Sequence, residues 1–163
     1  MLPGGRRVVV ATFIYNDGGR EAAGYKGEAG DCVVRAIAIA TQQPYEKVRQ
    51  DLMATTQDWI DTSRTREARK QAKDGASVRN GVYRAVYDRY LKSLGWEWTP
   101  TMKIGSGCKV HLRRDELPAG RIICSVSKHF VAVVDGIVHD THDPSRDGTR
   151  CVYGYWAPPR KDF

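Results

Sequence analysis

The sequence predicts an α+β fold, in which N-terminal helices pack on a C-terminal antiparallel β-sheet. The first observation is the run from Val33 to Ala40, where every residue except Arg35 is apolar. A helix that is apolar on nearly every side is buried on nearly every side. The second observation is the order of the patterns, because helical periodicity dominates up to Gly95 and short β-type runs follow it. With 163 residues, the chain is expected to form a single domain, 1–163.

Three helices are predicted before the β-type runs begin. Cys32 begins the apolar helix, and Asp31 is expected to cap it, its carboxylate accepting a backbone N–H of the first turn. Pro44 suits the first turn of a second helix. Ser77 is expected to cap a third helix, which ends at Gly95.

The strands are predicted from short runs of β-branched and aromatic residues. One run, Val8–Tyr15, precedes the helices, and the later runs are expected to pair as an antiparallel meander: 96–99, 109–112, 121–126, 128–134, 137–141 and 150–156. Between the helices, residues 61–76 are charged and poor in apolar side chains, which predicts a mobile insertion. Residues 157–163 are expected to form a loose tail.

One cysteine has a sequence context that suits a nucleophile. Cys32 stands at the first helical position, where free backbone N–H groups and the helix dipole favour a thiolate. Cys124 lies in a predicted buried strand, where cysteine usually serves as a small hydrophobic side chain. The nucleophile is therefore predicted to be Cys32.

A predicted hairpin supplies a base and a carboxylate. Asp135-Gly136 between two apolar runs is a strong hairpin signal, and a two-residue turn there pairs Ala132 with His139. Residues that are directly opposed share a face, as do residues two apart on one strand. One face then carries His129, Val131, Val133, Val138, Asp140 and His142. His129 and Asp140 become diagonal neighbours, so Asp140 is predicted to orient His129 as the base, with His142 as a rival on the same face.

A metal site is the competing interpretation of the same stretch. His139, Asp140, His142 and Asp143 are all possible ligands. Adjacent residues of an extended strand point to opposite faces, so His139 and Asp140 cannot converge without a sharp bend. We therefore expect no metal and no cofactor.

The bulk properties limit the possible partners and the compartment. No apolar run approaches the roughly 20 residues of a membrane helix, and no secretory signal is evident, which predicts a cytoplasmic protein with four free thiols. The net charge is +7, and the segment Arg64–Arg89 holds eight of the basic residues. This segment is either a solvated face or a weak nucleic-acid footprint.

With Cys32, His129 and Asp140 in that chain order, the sequence resembles the papain-like cysteine peptidases, especially the compact cysteine–histidine–aspartate branch that includes bacteriocin-processing peptidases. It also resembles uncharacterised phage and prophage proteins over nearly its whole length. The shared marks are Gly30-Asp31-Cys32, Gly81-Val82, Gly95-Trp96, Leu117-Pro118-Ala119-Gly120, His129 through Gly136, Asp140-Thr141-His142-Asp143 and Gly154-Tyr155-Trp156. The resemblance implies a papain-like fold and a Cys–His–Asp triad.

One position departs from the papain pattern. Papain-like peptidases carry a glutamine about six residues before the cysteine as oxyanion donor, and Lys26 stands there. Lys26 or Asn16 is expected to supply the second donor beside the Cys32 N–H. The expected function is cysteine hydrolysis of a protein or peptide, or an acyl transfer such as transglutaminase-like or deamidase chemistry. The alternative is an inactive papain-like scaffold that binds a host protein or nucleic acid through its basic surface.

Overall fold

The computed structural model describes residues 12–27 and 29–160, which form four α-helices and one six-stranded sheet. The helices are α1 (Cys32–Thr41), α2 (Tyr45–Thr62), α3 (Arg66–Asp74) and α4 (Arg84–Ser93). The strands are β1 (Thr12–Tyr15), β2 (Glu97–Pro100), β3 (Arg121–Val126), β4 (His129–Val134), β5 (Ile137–Asp140) and β6 (Gly154–Ala157). The predicted α+β class is confirmed. None of the described helices combines the length and the hydropathy needed to cross a bilayer.

The sheet is mixed, with strand order β1-β5-β4-β3-β6-β2. The strands after α4 pair antiparallel, but β1 runs parallel to β5, so the prediction of a wholly antiparallel sheet is wrong at this edge. A parallel pair needs a long crossover connection, and all the helices lie between these two strands in the chain. The first part of the predicted strand Val8–Tyr15 lies outside the described residues.

The β4–β5 hairpin has the predicted register. Asp135 and Gly136 both adopt positive φ, at 50° and 77°, as a two-residue turn of this type requires. Ala132 pairs with His139, and the pairing closes through Val134 and Ile137. Because register decides which side chains share a face, this turn determines where His129 and Asp140 project.

The core is built on both faces of the sheet. Helix α1 is buried from Val33 to Ala40, as predicted, and belongs to one apolar cluster with residues of α2 and α4 and with Phe130 and Ala132. The opposite face carries a second apolar cluster that includes Val131, Val133 and Val138.

Two local predictions differ from the structure, and the charged segment 61–76 contains a helix. Ser77 does not cap a helix, since α4 begins at Arg84; the Ser77 hydroxyl instead accepts the Arg79 N–H in a local turn. The segment 61–76 contains α3, which is anchored through Ala68, 1% exposed. The predicted strand 109–112 is reduced to an isolated bridge between His111 and Cys151.

Two of the cysteines form a disulfide. Cys108 and Cys151 are bonded across Cα atoms 5.8 Å apart, so the prediction of four free thiols is wrong for this pair. The bridge at His111 holds the loop that carries Cys108 beside Cys151. Cys32 and Cys124 are free, and complete burial raises the pKa of Cys124 to about 12.

Candidate active site

The predicted triad residues meet at one end of the sheet. His129 begins β4, Asp140 ends β5, and Cys32 begins α1. Helix α1 covers the sheet face of Phe130 and Ala132, whereas His129 and Asp140 belong to the other set of alternating positions. Cys32 therefore reaches His129 around the strand ends, and not across the face of the sheet.

His129 is hydrogen-bonded to Asp140 and lies beside Cys32. Its Nε2 donates to Asp140 Oδ2 at 2.5 Å, which leaves Nδ1 free of that bond. Burial by itself lowers the pKa of His129. The hydrogen bond to Asp140, the neighbouring Cys32 sulfur and the negative charges of both groups outweigh this effect and raise the pKa to about 9. The imidazole is therefore held as an imidazolium beside the Cys32 sulfur.

Asp140 is a buried carboxylate with every oxygen engaged. Its side chain is 4% exposed. Oδ1 accepts from the Thr141 backbone N–H at 2.7 Å and from Arg35 Nη1 at 3.1 Å, while Oδ2 accepts from His129. Burial raises the pKa of Asp140, but the hydrogen bond and charge of His129, the Thr141 N–H and the Arg35 charge lower it below its ordinary value. The carboxylate is thus ionised and fixed in orientation, as an orienting residue must be.

Arg35 joins the cysteine helix to this carboxylate. One turn beyond Cys32, its Nη1 bonds Asp140 and the Thr141 hydroxyl, and its Nε bonds Asp31 Oδ1 at 3.0 Å. Arg35 is 8% exposed, so these contacts neutralise a charge that is almost wholly removed from water.

Asp31 does not cap α1 in the predicted way. It occupies the N-cap position, but its side chain accepts no backbone hydrogen bond there. The buried carboxylate instead pairs with Arg35 and with Arg20 Nε at 3.0 Å, and it accepts the Tyr45 hydroxyl at 2.5 Å. Burial and then this hydrogen bond raise the pKa of Tyr45 well above its ordinary value. These stronger partners outcompete the cap because they satisfy both carboxylate oxygens.

His142 stands beside the triad on the exposed side. Its ring centroid lies 5.2 Å from that of His129, and one potential ligand atom each of His129, Asp140 and His142 lies within 4.8 Å of the others. This donor set suits a divalent transition metal. It differs from the cluster considered from the sequence, because it contains His129 and lacks His139 and Asp143. The metal would have to replace the hydrogen bond between His129 and Asp140.

The two predicted oxyanion donors occupy different places. The Asn16 amide is committed elsewhere, since Nδ2 lies 3.2 Å from His139 Nδ1 and Oδ1 accepts the Gly18 N–H at 2.9 Å. His139 projects to the opposite side of β5 from Asp140, so the structure does not bring Asn16 to the thiol. Lys26 is exposed and lines a cavity of about 620 Å³ that also contacts Arg35, Thr141 and His142.

Sequence reasoning missed the role of Arg35. A single charge inside an otherwise apolar, buried helix must find a partner, and this signal was present in the sequence. The sequence signal does not identify the partner, because Asp140 lies 105 residues away along the chain. Tyr87 was also missed: it packs on Phe130 with ring centroids 4.8 Å apart, and its burial first, then the charges of Asp88 and Cys32, raise its pKa.

Comparison with known proteins finds no relative of this chain. No protein-family model matches the chain, and no curated protein and no solved structure matches it either. The case for a function therefore depends on the side chains themselves.

Proposed function

We propose that this protein is a cysteine hydrolase or acyl transferase with a papain-like fold, acting on a carbonyl group of a protein or peptide. Cys32 is the nucleophile, His129 is the acid and base, and Asp140 orients His129. The observation that carries the proposal is the placement of His129 beside Cys32 together with its hydrogen bond to the buried, ionised Asp140.

The first half-reaction forms a thioester. The Cys32 thiolate attacks the carbonyl carbon, and the electron pair of the C=O bond moves to the oxygen. The tetrahedral adduct collapses as the bond to the leaving amine breaks, and the His129 imidazolium gives its proton to that amine. The Cys32 N–H is one oxyanion donor, because the first N–H groups of a helix have no partner inside it.

The second half-reaction releases the acyl group. Neutral His129 takes a proton from water or from an acceptor amine as that molecule attacks the thioester. The C–S bond then breaks and regenerates the Cys32 thiolate, while the proton stays on His129. Water gives hydrolysis, whereas an amine gives acyl transfer. Lys26, at the edge of the adjoining cavity, is the candidate for the second oxyanion donor.

The thiol can be tested without a known substrate. Iodoacetamide should alkylate Cys32 at pH 6 to 7 in the wild type. His129→Gln should slow the reaction about tenfold or more, because it removes the positive charge beside the sulfur. His139→Gln is the matched control, since that histidine bonds Asn16 on the other side of β5. Equal alkylation rates in all three proteins would reject the proposed pair.

Acyl chemistry can be tested with an activated ester. Reaction with p-nitrophenyl acetate should release p-nitrophenol in a burst and leave an acetyl group on Cys32, detected by intact mass spectrometry. Cys32→Ala should abolish the burst, and Asp140→Asn should reduce its rate because His129 loses its orienting carboxylate. Adding an amine such as a lysine ester separates the two functions: an acetylated amine indicates transfer, and acetate alone indicates hydrolysis. An undiminished burst in Cys32→Ala would refute the proposal.

A further inference from the structure

The exposed helix α3 carries its positive charges on one side. Arg66, Arg69, Lys70 and Lys73 follow the spacing i, i+3, i+4, i+7, which places them in a single stripe along the helix. Ala68, the buried anchor of α3, lies roughly 150° around the helix from the centre of that stripe. The stripe therefore faces away from the body of the protein.

These four charges are available to a partner. All four side chains are exposed, and none forms an ion pair within 4 Å among residues 12–27 and 29–160. The helix's own acidic residues, Glu67 and Asp74, lie to one side of the stripe. By contrast, two other basic residues of the Arg64–Arg89 segment are neutralised: Arg84 pairs with Asp88 and Arg89 pairs with Asp58. The structure thus separates free charges from paired ones, which the sequence could not do.

We propose that this stripe binds the phosphate backbone of a nucleic-acid duplex, a function beyond the acyl chemistry of Cys32. The stripe is about 10 Å long, and a duplex presents one phosphate charge per about 1.7 Å of axis, so several phosphates face it at once. No aromatic residue occurs from 61 to 82, so a single strand finds no stacking platform. The stripe also lacks apolar side chains, which an interfacial membrane helix needs.

Backbone binding of this kind has a measurable salt dependence. Four phosphate contacts give a slope of log K against log salt of about −3.5, which corresponds to roughly a hundredfold loss of affinity between about 50 and 200 mM salt. Each charge removed from the stripe should reduce the slope by about 0.9.

The test compares two double variants with the same change in net charge. Arg69→Gln with Lys70→Gln removes two stripe charges, and Arg84→Gln with Arg89→Gln removes two paired charges. Glutamine preserves helix propensity, and circular dichroism verifies folding. Fluorescence anisotropy with short DNA and RNA duplexes gives the salt slope for each protein, while anionic phosphatidylserine vesicles and polyglutamate probe other polyanions. Cys32→Ser is included so that failure of the acyl chemistry remains distinguishable.

The slope of log K against log salt should be less negative by about two in the stripe variant, which should also bind at least tenfold more weakly at low salt. The paired-charge variant and Cys32→Ser should bind as the wild type does. Binding to only one of the two duplexes would identify the source of the phosphates. An equal loss in both double variants would mean that net charge alone attracts the duplex and would overturn the proposal. So would stronger binding to vesicles or polyglutamate than to either duplex.

Discussion

Replacing Arg35 with methionine tests the link between the cysteine helix and the candidate triad. Methionine keeps much of the length and the apolar stem of arginine but removes the guanidinium. In the wild type that group bonds Asp31 and Asp140 at 3.0 and 3.1 Å and the Thr141 hydroxyl at 2.8 Å. The variant leaves two buried carboxylates without a shared cation.

The expected cost follows from what each carboxylate retains. Breaking a buried ion pair by removing one partner costs about 3–5 kcal/mol. Here Asp31 keeps Arg20 and Tyr45, and Asp140 keeps His129 and the Thr141 N–H. The loss in the free energy of unfolding should therefore lie at the lower end, about 3 kcal/mol. At a urea slope of about 2 kcal/mol/M, the midpoint should fall by about 1.5 M.

Urea unfolding followed by tryptophan fluorescence measures this loss, with Arg89→Met as the control. Arg89 also pairs with an aspartate, at 3.0 Å, but both side chains are exposed, so its removal should cost about 1 kcal/mol or less. Iodoacetamide alkylation of Cys32 in Arg35→Met reports whether His129 is still oriented. If Arg35→Met stayed within 1 kcal/mol of the wild type, or lost no more than the control, the buried cluster would not hold α1 to the sheet.

Three further predictions concern other parts of the fold. From pH 6 to 10 the wild type should lose about 3 kcal/mol of stability relative to His129→Gln in urea unfolding. Folding raises the pKa of His129 from 6.5 to about 9, so the stabilisation is complete below pH 6.5 and is lost as the pH rises through 9. Parallel curves of unfolding free energy against pH for the two proteins would contradict this. Replacing Cys108 and Cys151 with serine should cost about 4 kcal/mol, since their separation is 43 residues; alkylation of both in the unreduced native protein would show that no disulfide exists. Gly154→Ala should lower stability by about 1–3 kcal/mol, because its Cβ would stand 2.3 Å from the Trp98 ring; an unchanged thermal midpoint would refute this contact.

The parts of the site that could be predicted from the sequence are those determined by local geometry. A two-residue turn at Asp135-Gly136 fixes strand register, and register alone places His129 diagonal to Asp140. The burial of α1 was equally local, because an apolar run leaves a helix no polar side to expose. These features depend on residues close together in the chain.

The features that the sequence did not reveal depend on distant partners. Asp31 is a good cap by residue type, but Arg20 and Tyr45 compete for its carboxylate only once the chain has folded. The Cys108–Cys151 bond likewise requires a loop to be folded back by long-range pairing. The parallel placement of β1 on β5 has the same origin, since strand direction is not encoded in a strand's own pattern.

The position of Arg35 on α1 has a mechanical consequence. Cys32, the candidate nucleophile, and Arg35 are three residues apart on one helix, about 4.5 Å along its axis. If α1 slides against the sheet, the thiol moves, and Arg35 pulls Asp140 and the attached His129 in the same direction. A shift of α1 would therefore act on Cys32 through the helix backbone and on Asp140 through the Arg35 ion pair.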